Sequence, residues 1–403
     1  MKPILSMAAG LILALSAAAD TRSFIPPSDD TIIERLPAGS GTPEMRRARE
    51  LSRRLRETPD DLVLASRTAR EHIQNARATA DPRHLGYAEA ALRPWWTDNN
   101  APAEALVLRA TVKQSLHDFS AARRDLELAL AKDPANAQAW LTLATIDTVQ
   151  GRYDEARRAC IQLARLGESF SATVAAAAIA GLNGQSASAV RQLESLLDRS
   201  AAAPVDQRLW ATTQLAELLA RTGHSTEADA RFREALKLSG SDPYLLGAYS
   251  DFLLDQKRGD EVTRLLANHD RQDGSLLRLA EARLQPADKS GTSELDRMTT
   301  ELRSRFDAAR QRGDSVHQRE EARFLVRLGN DQIRALSLAL ENWQLQREPA
   351  DARLLLECAF AAGRPSEAKA ALAWMAKSRI EDKVLSTLRD QLTTMTAATS
   401  AKP

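Results

Sequence analysis

The chain has 403 residues, with 43% hydrophobic side chains, 4% aromatics and 27% charged residues. That hydrophobic share is enough to bury a continuous core, and no run alternates with period two, so no sheet is assigned. Lysines and arginines number 55 against 54 aspartates and glutamates. This balance leaves no basic stripe of the kind that neutralises phosphates, so a nucleic-acid partner is not expected.

The first residues read as an address. Lys2 makes a short basic start, residues 4–15 are apolar, and Ala17-Ala18-Ala19 supplies the small side chains that a signal peptidase needs. A signal peptide over 1–19, cleaved before Asp20, is expected. Its apolar run is shorter than the ~20 residues that span a bilayer, so stable membrane insertion after cleavage is not. The mature chain is expected to be exported, and periplasmic if the source is Gram-negative. Removing Lys2 with the signal leaves 55 − 1 = 54 basic against 54 acidic residues.

Residues 20–43 break helices at Pro26-Pro27, Pro37 and Gly39-Ser40-Gly41-Thr42-Pro43, and read as an extended N-terminal arm. Helical repeats are expected over 44–284, starting with a hairpin of 44–56 and 61–78 turned at Thr58-Pro59-Asp60. Arg46, Arg47, Arg49, Arg53, Arg54 and Arg56 crowd the first of these helices and read as a solvated face. Trp95-Trp96 precede a polar loop and read as rings capping a repeat interface.

One pattern is then written twice, thirty-four residues apart. Leu106, Ala110, Phe119, Ala122, Leu126 and Ala129, followed by Asp133-Pro134, recur at the same offsets as Trp140, Ala144, Tyr153, Ala156, Cys160 and Leu163. Leu143 and Gly151 add to the match. Such a period, with large and small residues alternating, marks a helix–turn–helix unit that must stack to bury its apolar face. Weaker copies follow through Val174, Ala177 and Val190, through Leu215, Ala216, Ala228 and Phe232, and through Leu246, Tyr249 and Val262. Pro286, Gly291 and several polar residues suggest a flexible joint at 285–293 between two sub-arrays. C-terminal helical repeats are expected over 294–395, with 295–311 and 317–328 forming a hairpin, and a disordered tail over 396–403.

The pattern resembles the tetratricopeptide repeat. The resemblance implies an all-α fold, a right-handed helical-hairpin solenoid (a TPR superhelix) whose first helices line a concave groove that holds peptides or protein surfaces. The run His84-Leu85-Gly86-Tyr87-Ala88-Glu89-Ala90-Ala91-Leu92, with Glu341-Asn342-Trp343 and Gln346-Arg347-Glu348-Pro349, also resembles a group of uncharacterised exported bacterial members. Members that clamp a terminal carboxylate use basic and amide side chains on the first helices. The corresponding positions here hold Gln138, Leu141, Thr142 and Thr145, then Ala172, Ala175, Ala176 and Ile179. No such clamp is present at these positions.

The expected partner-binding groove is therefore apolar around Leu141, Thr145, Thr148 and Ile179, then aromatic and acidic through Trp210, Thr213, Glu217, Tyr244 and Asp251. A peptide with an apolar ridge and a few basic residues would complement it. Six scattered histidines show no metal-ligand spacing, and no nucleophile or phosphate-loop motif occurs, so no catalytic residue, metal or cofactor is expected. Cys160 and Cys358 are expected as two separate buried thiols. The functional expectation is an exported, non-catalytic scaffold or adaptor for a protein or peptide partner. The alternative is a structural subunit of an envelope export, assembly or polysaccharide-secretion machine.

Overall fold

The computed structural model describes residues 28, 42–285, 292–311 and 318–400. The signal peptide, nearly all of the arm, positions 286–291 of the expected joint and residues 401–403 of the tail lie outside the described residues. The chain divides into Met1–Thr42 and Pro43–Pro403, and the second unit carries the helices.

These run α1 Pro43–Glu57, α2 Leu62–Thr79, α3 Arg83–Ala91, α4 Ala103–Ser115, α5 Phe119–Lys132, α6 Ala137–Val149 and α7 Tyr153–Arg165. Next come α8 Ser169–Leu182, α9 Ser186–Arg199, α10 Val205–Thr222, α11 Ser225–Leu238, α12 Pro243–Asp255, α13 Gly259–Leu265 and α14 Asp273–Ala282. The series ends with α15 Thr292–Gln311, α16 Gln318–Phe324, α17 Gln332–Leu345, α18 Pro349–Ala361, α19 Lys369–Ser378 and α20 Lys383–Ser400. No strand occurs among the described residues, and the fold is an all-α helical-hairpin solenoid.

The thirty-four-residue pattern becomes packing directly. Leu106, Ala110, Phe119, Ala122, Leu126 and Ala129 are buried on the facing sides of α4 and α5, and Ala144, Ala156, Cys160 and Leu163 on those of α6 and α7. Side-chain caps fix where helices start: Asp61, Asp118, Asn136 and Asp242 each accept a hydrogen bond from the backbone N–H three residues on. A proline near a helix start favours the first turn, where its missing N–H costs nothing, and Pro134 would suit that place. It lies instead before the cap Asn136, and its carbonyl accepts from Trp140 Nε1 at 2.9 Å.

Every even-numbered helix from α2 to α18 packs on the next even-numbered one, as well as on its hairpin partner. In a curved stack the elements at the smaller radius approach their equivalents, while those outside splay apart. The even-numbered helices therefore form the inner layer. This register adds to the sequence reading of the second half. Helix α15 packs on α14 as well as on 325–329, and Phe306 meets Phe324 with ring centroids 5.5 Å apart, so the expected pairing of 295–311 with 317–328 is not exclusive; most of the expected joint, 286–291, lies outside the described residues. Arg305 of α15 bonds Asp273 of α14 at 2.9 Å. At the C-terminus α20 continues to Ser400, beyond the expected end of helix at Met395.

The stack curves enough for distant hairpins to meet. Gln272 Nε2 donates to the Thr79 carbonyl, Arg347 N–H to the Val149 carbonyl at 2.7 Å, Trp374 Nε1 to the Tyr153 hydroxyl at 3.0 Å, and Ser186 N–H to Glu381 Oε2 at 3.0 Å. The side-chain bonds of this seam join residues 193 to 229 positions apart. In most of them a turn inside an early hairpin meets a loop between later ones. Gly184, at φ +70°, allows the closest approach: a Cβ there would stand 2.9 Å from the Arg379 carbonyl oxygen.

Two buried polar features brace the early hairpins. Arg109 is ion-paired with Asp125 at 2.6 Å and donates to the carbonyls of Trp95 and Trp96, so the two half-buried indoles sit on a tied-down loop. Their expected capping role fits this placement. His72 and His84 face each other Nδ1 to Nδ1 at 3.0 Å, with His72 Nε2 2.9 Å from Ser52 Oγ. Burial lowers both histidines, His72 to about 4 with the His84 charge adding to the effect. Cys160 and Cys358 are free and buried, and burial raises their thiols to about 11 and about 12.

Two outcomes are expected. Gly184→Ala should lose about 2–3 kcal/mol in urea unfolding, because it adds a backbone clash to the cost of a side chain at positive φ. Gly363→Ala, at φ +65° with open space around it, should lose only about 1 kcal/mol. For the histidine pair, the unfolded chain takes up protons from about pH 6.5 while the folded chain resists down to about pH 4. Melting temperature should therefore fall across that window, and His72→Gln should flatten the fall.

Candidate functional site

The inner layer of even-numbered helices carries the expected groove residues, but on unequal terms. On α6, Leu141 and Thr148 are half-buried and Thr145 is exposed, with both threonine hydroxyls turned back to carbonyls one helical turn earlier. Ile179 of α8 is buried beside Ala144, Ala156, Ala159 and Cys160, and Thr213 of α10 is buried too. These two hold helices together and present no open surface. Trp210 is half-buried against the main core and belongs to the packing as well. A bulky side chain at such a position is needed to fill the space between hairpins, so its truncation would test folding before recognition.

Further along, the inner face is charged. Asp251 of α12 accepts from Arg278 of α14 at 2.6 Å and from Arg323 of α16 at 2.7 Å. Glu281 of α14 accepts from Arg323 at 2.7 Å and from Arg327 at 2.8 Å. Arg327 continues to Glu357 of α18 at 2.6 Å, and Arg353 joins Glu357 at 2.8 Å to Asp255 of α12 at 2.7 Å. The chain of ion pairs thus leaves α12, crosses three inner helices and returns to α12. It contains four arginines and four carboxylates. The arginines hold Asp251 well below the usual carboxylate range and Glu357 at about 2, against the opposing effect of burial.

Charged pairs at helical spacing within one helix belong on solvated faces. The structure departs from that for this set, whose partners lie on different helices. It also supplies from within the chain the basic complement expected of a peptide at Asp251. Arg278, Arg323, Arg327, Arg353, Asp255, Glu281 and Glu357 were missed. An available signal was the recurrence of opposite charges about thirty residues apart, at 251 and 278 and at 327 and 357, which gains meaning once the helix register is known.

Tyr244 and Glu217 stand apart from this network. Tyr244 remains 59% exposed on α12, and its hydroxyl donates to both Glu217 oxygens, at 3.1 and 2.9 Å. Gln214 Nε2 also donates to Glu217 at 2.9 Å. Solvent reaches this ring, yet the surrounding concave wall is dense enough to push Glu217 up to about 7 and the Tyr244 hydroxyl well above its usual value. Glu348, beside Arg319 at 3.4 Å, is raised for the same reason. The structure therefore brings Glu217 and Tyr244 into direct contact, with Asp251 acting on Glu217 through its charge. Leu141, Thr145 and Thr148 lie on a separate stretch of the inner layer. Among the described residues no group of histidines, cysteines and carboxylates is arranged to hold a metal, and no helix is long and apolar enough to cross a membrane.

Comparison with known proteins agrees with the packing. A family model described as tetratricopeptide repeat matches residues 115–177, the stretch that includes the hairpin of α6 and α7. No curated protein matches the chain. Among solved structures, a tetratricopeptide repeat protein from Parabacteroides merdae shares 15% identity over 72% of this chain and 98% of its own, with a TM-score of 0.30. Yeast Tom70 shares 13% over 89% of this chain and 96% of its own, with a TM-score of 0.35. The human IFIT1 dimer, solved with m7Gppp-AAAA, shares 13% over 83% and 86%, with a TM-score of 0.36. Likenesses this remote say nothing of the site.

Breaking the ladder at its most deeply buried carboxylate should be costly. Glu281→Gln leaves Arg323 and Arg327 with a neutral neighbour in a buried setting, and is expected to destabilise the fold by about 3 kcal/mol in chemical denaturation. Glu155→Gln, on an exposed pair with Arg158, should change it by less than about 0.5 kcal/mol.

Proposed function

We propose, from the premise that the chain is a tetratricopeptide repeat protein and so has the fold of a protein-interaction scaffold, that it is an exported, non-catalytic adaptor gripping a protein segment on its inner face. The observation that carries this is Tyr244: at 59% exposed it is the most exposed aromatic ring among the described residues of the inner helices, ahead of Phe360 at 40%. Aromatic anchors bury much area with few rotors to freeze, and a rigid surround lowers the ordering cost of binding. The neighbouring ion pairs supply that rigidity. Export, with a periplasmic location in a Gram-negative source, is supported by Lys2, the apolar run 4–15 and Ala17-Ala18-Ala19. The balanced charge supports a protein partner over a nucleic acid.

The test is affinity capture by the chain from residue 20 onward in its native envelope extract, beside a Tyr244→Ala variant shown to be folded by circular dichroism. A partner held by the parent and lost from the variant supports the inner face. Partners held equally by both would favour an assembly subunit using its outer surface. Retention of nothing by either would remove the adaptor reading.

A further inference from the structure

The carboxylates of the inner wall around α12 are paired across helices, and Glu217 differs from them. Asp251, Asp255, Glu281 and Glu357 each meet an arginine borne by another inner helix, at 2.6 to 2.8 Å. Asp351 and Glu348 share Arg319. Glu217 has no such counter-ion among the described residues: its hydrogen-bond donors are the neutral Gln214 amide and the Tyr244 hydroxyl. Arg221, one turn further along α10, makes no ion pair with it. The groups facing Glu217 are Arg221 on its own helix, Tyr244 and Asp251 on α12, and Glu348 ahead of α18. With Asp251 already matched, the local balance favours one more positive charge.

We infer that Glu217 and Tyr244 form an acceptor for a single arginine side chain of a bound protein segment. The carboxylate supplies the counter-charge, and the accessible ring supplies a flat face for the guanidinium. Arginine fits better than lysine because its planar head can stack on the ring while donating along its edge. The chain's other inner carboxylates already show this preference, since all of those pairs use arginine. Burial raises the Glu217 carboxyl despite the opposing charge of Arg221, as expected of a carboxylate in a concave wall with no ion-paired cation. The inference rests on the inner-face reading above and deepens it by naming the chemistry that the partner must present.

The test uses the mature chain and two small probes, N-acetylarginine methylamide and its neutral citrulline counterpart. Glutamate side-chain carboxyls are labelled with carbon-13, and Glu217→Gln identifies the resonance. A single charge-assisted contact gives weak binding, so the probes are taken to about 50 mM. Near pH 8 the arginine probe should shift the Glu217 resonance saturably, and the citrulline probe should not. At about pH 5.5 the arginine response should fall several-fold, as Glu217 takes up a proton. Tyr244→Ala truncates an exposed ring and should weaken the response several-fold, a readout that stands even if Glu217→Gln fails to fold. An unmoved Glu217 resonance, or equal shifts from both probes, would overturn the inference. If capture still depended on Tyr244 in that event, the inner-face reading would survive without its arginine specificity.

Discussion

The close approach of the inner helices is the constraint from which the rest follows. Ala110, Ala144, Ala177 and Ala216, on the inner helices α4, α6, α8 and α10, are all but inaccessible to solvent. A methyl group at a helix contact lets two helix axes come nearer than a leucine would. Larger residues such as Phe119, Leu126, Leu163 and Phe232 fill the space toward the outer helices. Short spacing on one side and long spacing on the other bends the stack. The bend brings Gly184 against Arg379 and Tyr153 against Trp374. It also gathers acidic and basic residues from separate hairpins into one concave wall.

Charge in that wall serves position more than attraction. A buried ion pair stabilises weakly in net terms, because desolvation of both groups offsets most of the Coulombic gain. Its value lies in penalising every arrangement that separates the partners. Arg323 bridges Asp251 and Glu281, and Arg327 bridges Glu281 and Glu357. Helices α12, α14, α16 and α18 are thereby held in one register. Tyr244 and Glu217 sit at the margin of this fixed array, where the geometry is rigid but one charge is still unmatched.

The architecture was legible where chemistry repeats locally. The spacing of Leu106, Ala110, Phe119 and Ala122, and its echo from Trp140 to Leu163, needs only neighbouring hairpins to be satisfied, so a linear reading captures it. In the second half the packing of α15 on α14 is not legible, because the polar stretch 285–293 interrupts the local pattern that would link the two helices. The site was legible in kind and less so in membership. Glu217, Tyr244 and Asp251 were picked out from helix register alone, and two of them are in direct contact. Ile179, Thr213 and Trp210 came from the same register, but they lie toward the packed edge of the inner face. A rotation of a few tens of degrees about a helix axis separates lining from core, and one chain's sequence does not fix that angle. The ladder escaped notice because its pairs are set by the stacking of whole hairpins.

The seam changes what kind of polymer this is. A simple solenoid behaves as a one-dimensional string, in which each unit answers only to its neighbours and the ends fray independently of the middle. Here the backbone N–H of Arg347 reaches the carbonyl of Val149, and Glu381 reaches Ser186. The string has become a coil with rungs. Loss of a late hairpin therefore uncovers an early one, which couples the two ends of the array in a single cooperative event. Closing such rungs requires a loop of roughly two hundred residues to form first, an entropic demand that grows only logarithmically with length but that local hairpins never meet. The molecule can nucleate quickly anywhere along its length, yet it reaches its final state only when distant parts have found each other.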